Sequence, residues 1–240
     1  MKSFLRIALS YWADYNFLLK QQIGHYPEIF YPIYARKYPF NKMTVNSSTE
    51  VCIDGYPRCA NSYAVYAFKL SNKVIIGHHH HVPAQIFRSV AMRIPTIVPI
   101  RLPEESVSSF LIFQNSTNAD LYIKTYINFY KSIRHLFDRV VIADFDVIIN
   151  DFNKVINSVN TKYNTNFNLI ENLKEKQNEI FERLKEINNL FFGSNKRKLM
   201  YPDKSRERFK QEAKFLVKSS RFLEEANDIY EEILNSSSLY

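Results

Sequence analysis

Three groups of residues in this 240-residue chain could do chemistry, and they follow one another along it. The first is a loop: the apolar run Val51-Cys52-Ile53 breaks at Asp54-Gly55-Tyr56-Pro57, Arg58 stands at the apex, and an apolar-periodic segment resumes from Asn61. That pattern predicts a strand, a tight loop and a helix. A helix N-terminus leaves backbone N–H groups without partners and carries the positive end of the dipole, which makes it an anion site. Asn61 and Ser62 in the first turn would add side-chain donors and Arg58 a full charge, so the loop reads as a phosphate or sulfate cradle. An ordinary strand-loop-helix connection with a surface arginine would look the same. The second group is the run His78-His79-His80-His81. It is internal, and neighbouring residues on a turn point in different directions, so it makes a poor chelate for a single metal. One of the four acting as a proton acceptor near neutral pH is the better use. The third is Arg101, directly after the apolar run Thr96-Ile97-Val98-Pro99-Ile100.

These residues need elements to hold them. Apolar runs begin at Val51, Val74, Thr96 and Val140, and each is followed by a helical pattern. The helices are expected over 61–70, from Pro83 until before Pro95, from Pro103 onward, over 117–137, and after a turn beyond Ala143. Alternation of this kind implies an α/β fold, a mostly parallel sheet with helices on both faces. Ligands then bind beyond the C-terminal ends of the strands, where Arg58, His81 and Arg101 all fall. Upstream, residues 1–49 are rich in aromatics, among them Phe4, Tyr11, Trp12, Tyr15, Tyr31, Tyr38 and Phe40. They should start as a helix, and 25–40 should be largely irregular because of Pro27, Pro32 and Pro39. The rings either pack on the sheet or line an acceptor pocket. From Asn164 onward the pattern is helical, with core stripes at Leu173, Ile180, Leu184 and Ile187 and at Phe209, Ala213, Leu216, Leu223, Ile229 and Ile233. A single domain over 1–240 follows, with its core over roughly 50–160 and a helical C-terminal part over roughly 165–240.

Composition narrows the function. A net charge of +8 and a pI near 9.3 favour anionic partners without choosing among them. The four glycines, Gly24, Gly55, Gly77 and Gly193, cannot spell a Walker A loop or a GxGxxG dinucleotide motif. Cys52 and Cys59 give neither a disulfide framework nor a four-ligand zinc site, and free thiols fit a reducing compartment. Asp14 interrupts the N-terminal apolar run before it reaches the length of a signal or a membrane span. We therefore expect a cytoplasmic protein with no transmembrane segment, and peripheral membrane contact through an amphipathic N-terminal helix stays open.

The run Gly55 to Tyr63, GYPRCANSY, resembles the 5′-phosphosulfate loop of the PAPS-dependent sulfotransferases. Pro57, Arg58, Asn61, Ser62 and Tyr63 fit that loop as they stand, while Cys59 and Ala60 replace its usual serine and glycine. Ala60 adds a methyl where backbone normally approaches the phosphate, so either its φ is negative or affinity suffers. The resemblance extends. Aligned on Pro83, His81 takes the place of the family's general base, His80 stands where threonine is usual, and His79 is the second choice. Arg101 and Ser109 match an arginine and a serine eight positions apart that bind the 3′-phosphate, and Ser108 is a neighbour of the match. The stretch FDVIIND is similar to a further family segment, in which Asp144 and Asp146 are expected to be structural. Between the C-terminal stripes lie Lys196, Arg197, Lys198, Lys204, Arg206, Arg208 and Lys210, either a solvated basic loop or a flap of the kind that completes the family's 3′-phosphate site.

The resemblance covers roughly 51–151 and implies a P-loop-NTPase-like three-layer α/β/α fold. It implies transfer of the sulfuryl group of PAPS (3′-phosphoadenosine 5′-phosphosulfate) to a hydroxyl or amine acceptor, without a metal. Cys59, Ala60, Asn61, Ser62 and Tyr63 would join Arg58, Arg101 and Ser109 in holding the nucleotide, with His81 and Arg58 catalytic. The acceptor could be a small molecule, a glycan or a lipid, and nucleic acid is not expected. Two rivals share the fold. One is a small-molecule kinase, which would need Mg²⁺ and a Walker lysine; the other is a non-catalytic anion-binding protein, to which Cys59 and Ala60 lend weight. Acceptor identity and oligomeric state have no signature in the sequence.

Overall fold

The computed structural model describes residues 2–36 and 40–236, with the side chains of 2–11, Ala35 and Phe40 outside the description. Tyr38 and Pro39 lie outside the described residues, as do the rings of Phe4, Tyr11 and Phe40. In chain order the elements are α1 (Lys2–Ile23), α2 (Pro27–Phe30), β1 (Val51–Ile53), α3 (Asn61–Ser71), β2 (Ile76–His78), α4 (Pro83–Ala91) and β3 (Thr96–Ile100). They continue with α5 (Pro103–Gln114), α6 (Ala119–Ile133), β4 (Val141–Asp144), α7 (Phe145–Asn150), α8 (Phe152–Tyr163), α9 (Leu173–Phe192), α10 (Glu207–Lys218) and α11 (Leu223–Ser236).

The four strands form one all-parallel sheet in the order β2-β1-β3-β4. Period-2 alternation sends each strand's side chains to two layers. Val51, Ile53, Ile97, Val141 and Ala143 face a core shared with α3, α8 and α9. Cys52, Val98, Ile100 and Ile142 face the opposite core, built from α4, α5, α6, α10 and α11. The protein is therefore a three-layer α/β/α fold with a helical C-terminal part. The layer under α3 is packed with aromatic rings: Phe68 is fully buried with Phe167 and Phe152 set edge-on at 5.0 and 6.4 Å, and truncating it to alanine would cost about 3–5 kcal/mol.

Strand order makes the crevice. The chain leaves β1 in one direction, to β2, and then crosses over to β3 on the other side, so the direction reverses between β1 and β3. The gap opens there for a local reason. Asp54 N–H donates to the Ile97 carbonyl at 3.1 Å, and the next rung would need an N–H from Pro99, which has none. The Pro99 carbonyl instead takes the Tyr130 hydroxyl at 3.0 Å, and the β1 chain peels away at Gly55. A Cβ on Gly55 would stand 2.3 Å from the Pro99 carbonyl oxygen, so only glycine permits this departure.

Two segments differ from the sequence expectation. Residues 25–36 are more helical than their prolines suggest: Pro27 begins α2 and Pro32 sits near the start of a π-helical turn, Tyr31–Ala35. A proline at a helix start removes only an N–H that has no partner anyway. Residues 164–172 are not helical. Asn164 ends α8 in the left-handed region at φ +53°, and asparagine side chains then stand in for backbone partners: Phe167 N–H donates to Asn160 Oδ1 and Ile170 N–H to Asn153 Oδ1, both at 2.8 Å. Among the described residues no helix is long and apolar enough to cross a membrane.

Candidate functional site

The loop between β1 and α3 is strained in the sense an anion cradle requires. Arg58 and Ala60 have φ of +68° and +65°, and the sign alternates across Cys59 between them. Alternating φ turns successive N–H groups towards one concave side. Among the described residues none of the backbone N–H groups from Arg58 to Tyr63 donates to a protein acceptor. The alanine has thus kept a left-handed conformation that glycine would adopt at no cost.

The loop side chains mostly brace it. Cys59 Sγ is fully buried beside the Ser106 hydroxyl at 3.4 Å and the Tyr130 hydroxyl at 3.7 Å, and burial pushes its thiol up to about 11. Only its backbone N–H is available to a ligand. Asn61 Nδ2 donates to the Tyr56 carbonyl at 2.9 Å, tying the loop to the helix, while its Oδ1 is buried without a hydrogen-bond partner among the described residues. Tyr63 is buried against Phe181. Ser62 Oγ lies 2.8 Å from His79 Nε2, which links the first turn of α3 to the histidine run.

On the β2 side the four histidines have four environments. His78 and His79 touch through their Nδ1 atoms, and burial holds both rings far below the ordinary imidazole value, to about 2 and about 3. His80 Nε2 lies 2.8 Å from the Thr44 hydroxyl, with Phe30 set edge-on to its ring. His81 turns at φ +54°, and its Nδ1 lies 2.8 Å from the Gly55 carbonyl and 3.2 Å from Asp54 Oδ1. Asp54 is fully buried at the end of β1 and also accepts the backbone N–H groups of His80 and His81, at 2.8 and 3.1 Å. Burial alone would raise its carboxyl; the His81 hydrogen bond and the histidine charges outweigh that and hold it below the usual carboxylate value. Helix α1 closes this side: Gln21 Nε2 donates to the His81 carbonyl at 2.7 Å, and Lys20 feels the Asp54 charge while burial brings its ammonium down to about 8.

On the β3 side cations gather, with Glu105 as the one carboxylate in an ion pair with them among the described residues. Arg58 Nε donates to Ser109 Oγ at 3.0 Å and its terminal nitrogen to the Leu199 carbonyl at 2.6 Å. Arg206, 5% exposed, donates to the same carbonyl at 3.2 Å and to the Ser109 carbonyl at 3.4 Å. Its Nε is buried without a partner among the described residues. Arg101 stacks 4.0 Å over the Phe145 ring, reaches the Arg58 carbonyl at 3.4 Å, and meets Glu105 at 3.4 Å. Burial, then repulsion from the charges of Arg206 and Arg101, lowers Arg58 to about 9, still a cation at neutral pH. Lys198, 4.0 Å over the Phe113 ring, is lowered by burial and by Arg58.

Ser109 is thus held by Arg58 rather than by Arg101, and all three arginines share one cluster. Of the late basic segment, Arg206 and Lys198 turn inward, while Lys196, Lys204 and Arg208 are exposed. Asp144 caps α7 through the Asp146 N–H at 3.0 Å and takes the Tyr230 hydroxyl at 2.7 Å. Sequence reasoning did not single out Asp54 or Lys20. The open depression of about 580 Å³ lined by Gln22, His25, Tyr26, Asn128, Lys131 and Ser132 involves none of these groups. No protein-family model, curated protein or solved structure matches the chain.

Proposed function

We propose that the crevice binds a nucleotide phosphorylated at both ends and that the protein is a PAPS-dependent sulfotransferase. The observation that carries this reading is the pairing of two anion sites on one crevice. One is the cradle of unpartnered N–H groups over 58–63; the other is the cluster of Arg58, Arg101 and Arg206, in which, among the described residues, Glu105 is the one carboxylate in an ion pair while Asp144, Asp146 and Asp203 act from further off. The orphaned Nε of Arg206 and the open N–H groups suit phosphate oxygens, which accept several donors at once.

In this reading the 58–63 backbone holds the 5′ end and Arg101, Arg206 and the Ser109 hydroxyl hold the 3′-phosphate. PAPS supplies an activated sulfuryl group. Arg58 belongs to both ends, because it stands on the cradle loop and its guanidinium lies in the arginine cluster. Its charge opposes the negative charge that accumulates on the leaving phosphate oxygen, a contribution of positioning and electrostatics. His81 takes the acceptor proton on Nε2. Asn61 and Tyr63 keep the loop in shape, and Cys59 and Ala60 contribute backbone.

The test is turnover of ³⁵S-labelled PAPS with panels of phenol, sugar, amine and lipid acceptors in the presence of EDTA. Acceptor-dependent release of 3′,5′-ADP is the expected result. Intact PAPS throughout, together with Mg²⁺-dependent consumption of ATP by the same protein once EDTA is left out, would replace this reading with the kinase. One observation favours the non-catalytic alternative: Ala60 keeps a methyl on the cradle at φ +65°. Tight binding of 3′,5′-ADP with no turnover of any acceptor would select it.

A further inference from the structure

The end of β1 carries a device that neither the loop motif nor the histidine run announces. Asp54 has no exposure, yet its carboxylate is well supplied with donors: His80 N–H at 2.8 Å, His81 N–H at 3.1 Å and His81 Nδ1 at 3.2 Å. The two groups within reach of His81 Nδ1 are the Gly55 carbonyl and this carboxylate, and both can only accept. Nδ1 must therefore carry the proton, and in the neutral ring the lone pair is left on Nε2, which has no protein partner among the described residues. The strain is local and matched. His79 and His81 both stand in the left-handed region, at φ +60° and +54°, and the carboxylate of Asp54 collects the backbone N–H groups that this turn presents. Such a conformation persists only where its surroundings over-determine it.

We propose that Asp54 is the positioning residue of the proton acceptor: it holds the turn that carries His81 and selects the Nδ1–H tautomer, so that Nε2 faces the reaction as a base. Near the pair are Lys20 from α1, which feels the Asp54 charge, and His79 and His80 from the same turn as His81. None of these offers a second carboxylate that could substitute for Asp54. Its importance to turnover rests on the sulfuryl-transfer reading; the state of the ring does not.

Two measurements test it. In the wild-type protein, ¹⁵N-detected imidazole spectra at pH 8 should show His81 as the Nδ1–H tautomer; a predominant Nε2–H form would overturn the assignment without any variant. In Asp54→Asn the tautomer should become a mixture. Turnover should then fall about 10²-fold, with KM and 3′,5′-ADP affinity within about twofold of wild type. An unchanged tautomer in Asp54→Asn would mean that the Gly55 carbonyl suffices, and Asp54 would lose the role. If the wild-type protein transfers no sulfuryl group, the spectra still decide the matter, so the two failures are distinguishable.

Discussion

Replacing Arg206 by methionine should affect the ligand-free protein and its ligand affinity very differently. Arg206 and Arg58 donate to the same Leu199 carbonyl at 3.2 and 2.6 Å, which places their donor nitrogens within about 6 Å of each other. At that separation and an effective dielectric of about 20, two like charges repel by about 3 kcal/mol. The substitution removes that repulsion. It also removes the bonds to the Leu199 and Ser109 carbonyls, at about 1 kcal/mol each, while methionine refills most of the apolar volume. The stability of the ligand-free protein should therefore stay within about 1 kcal/mol of wild type. Affinity for 3′,5′-ADP should fall by the value of a charge-assisted bond, about 1.5–3 kcal/mol, or about 10- to 150-fold. Affinity for 5′-AMP should hardly move. Urea unfolding and titration calorimetry read the two quantities separately. Destabilisation by more than about 3 kcal/mol with unchanged 3′,5′-ADP affinity would refute the reasoning and make Arg206 a structural strut.

Other consequences follow from individual residues. Ala60→Gly removes a methyl from a residue at φ +65°, so chemical denaturation should show a gain of about 0.5–1 kcal/mol, and 3′,5′-ADP should bind no more weakly; a loss of stability would mean that the methyl packs usefully. His78 and His79 are held neutral, to about 2 and about 3, whereas in the unfolded chain they take up protons near pH 6.5. The unfolded state then binds more protons as pH falls below about 6.5, so stability should decline in that direction, at up to about 1.4 kcal/mol per pH unit for each proton. His79→Gln should flatten that slope in melting curves between pH 7 and pH 4, and an identical slope would remove His79 as its source.

The sheet was legible because its strands are apolar runs bounded by turn residues: Val51, Thr96 and Val140 mark β1, β3 and β4 to within a residue. The exception, β2, begins at Ile76 rather than Val74, because Ile75 is half exposed and its N–H is taken by the Glu50 carboxylate. The loop after 163 departs from the helical expectation for a related reason: side chains of Asn72, Asn153 and Asn160 supply the hydrogen bonds, and periodicity does not register such contacts. In the site, Arg58, His81 and Arg101 could be placed because each lies within about a turn of a strand's C-terminal end, Arg101 directly after β3 and the other two in the loops after β1 and β2. Arg206 could not be told from its basic neighbours, since only the packing of 199–206 under α5 buries it. Asp54 was hidden in plain view. An aspartate before glycine reads as a turn former, and its real partners lie 26 and 27 residues away in the histidine run.

Calorimetry of 3′,5′-ADP against 5′-AMP and ATP in EDTA tests most directly whether the crevice holds two anion sites. With both sites engaged, 3′,5′-ADP should bind at least about 10-fold more tightly than 5′-AMP and more tightly than ATP, with the advantage lost in Arg101→Ala. Equal affinity for 3′,5′-ADP and 5′-AMP would contradict the arginine cluster as a phosphate site, and with it the central claim.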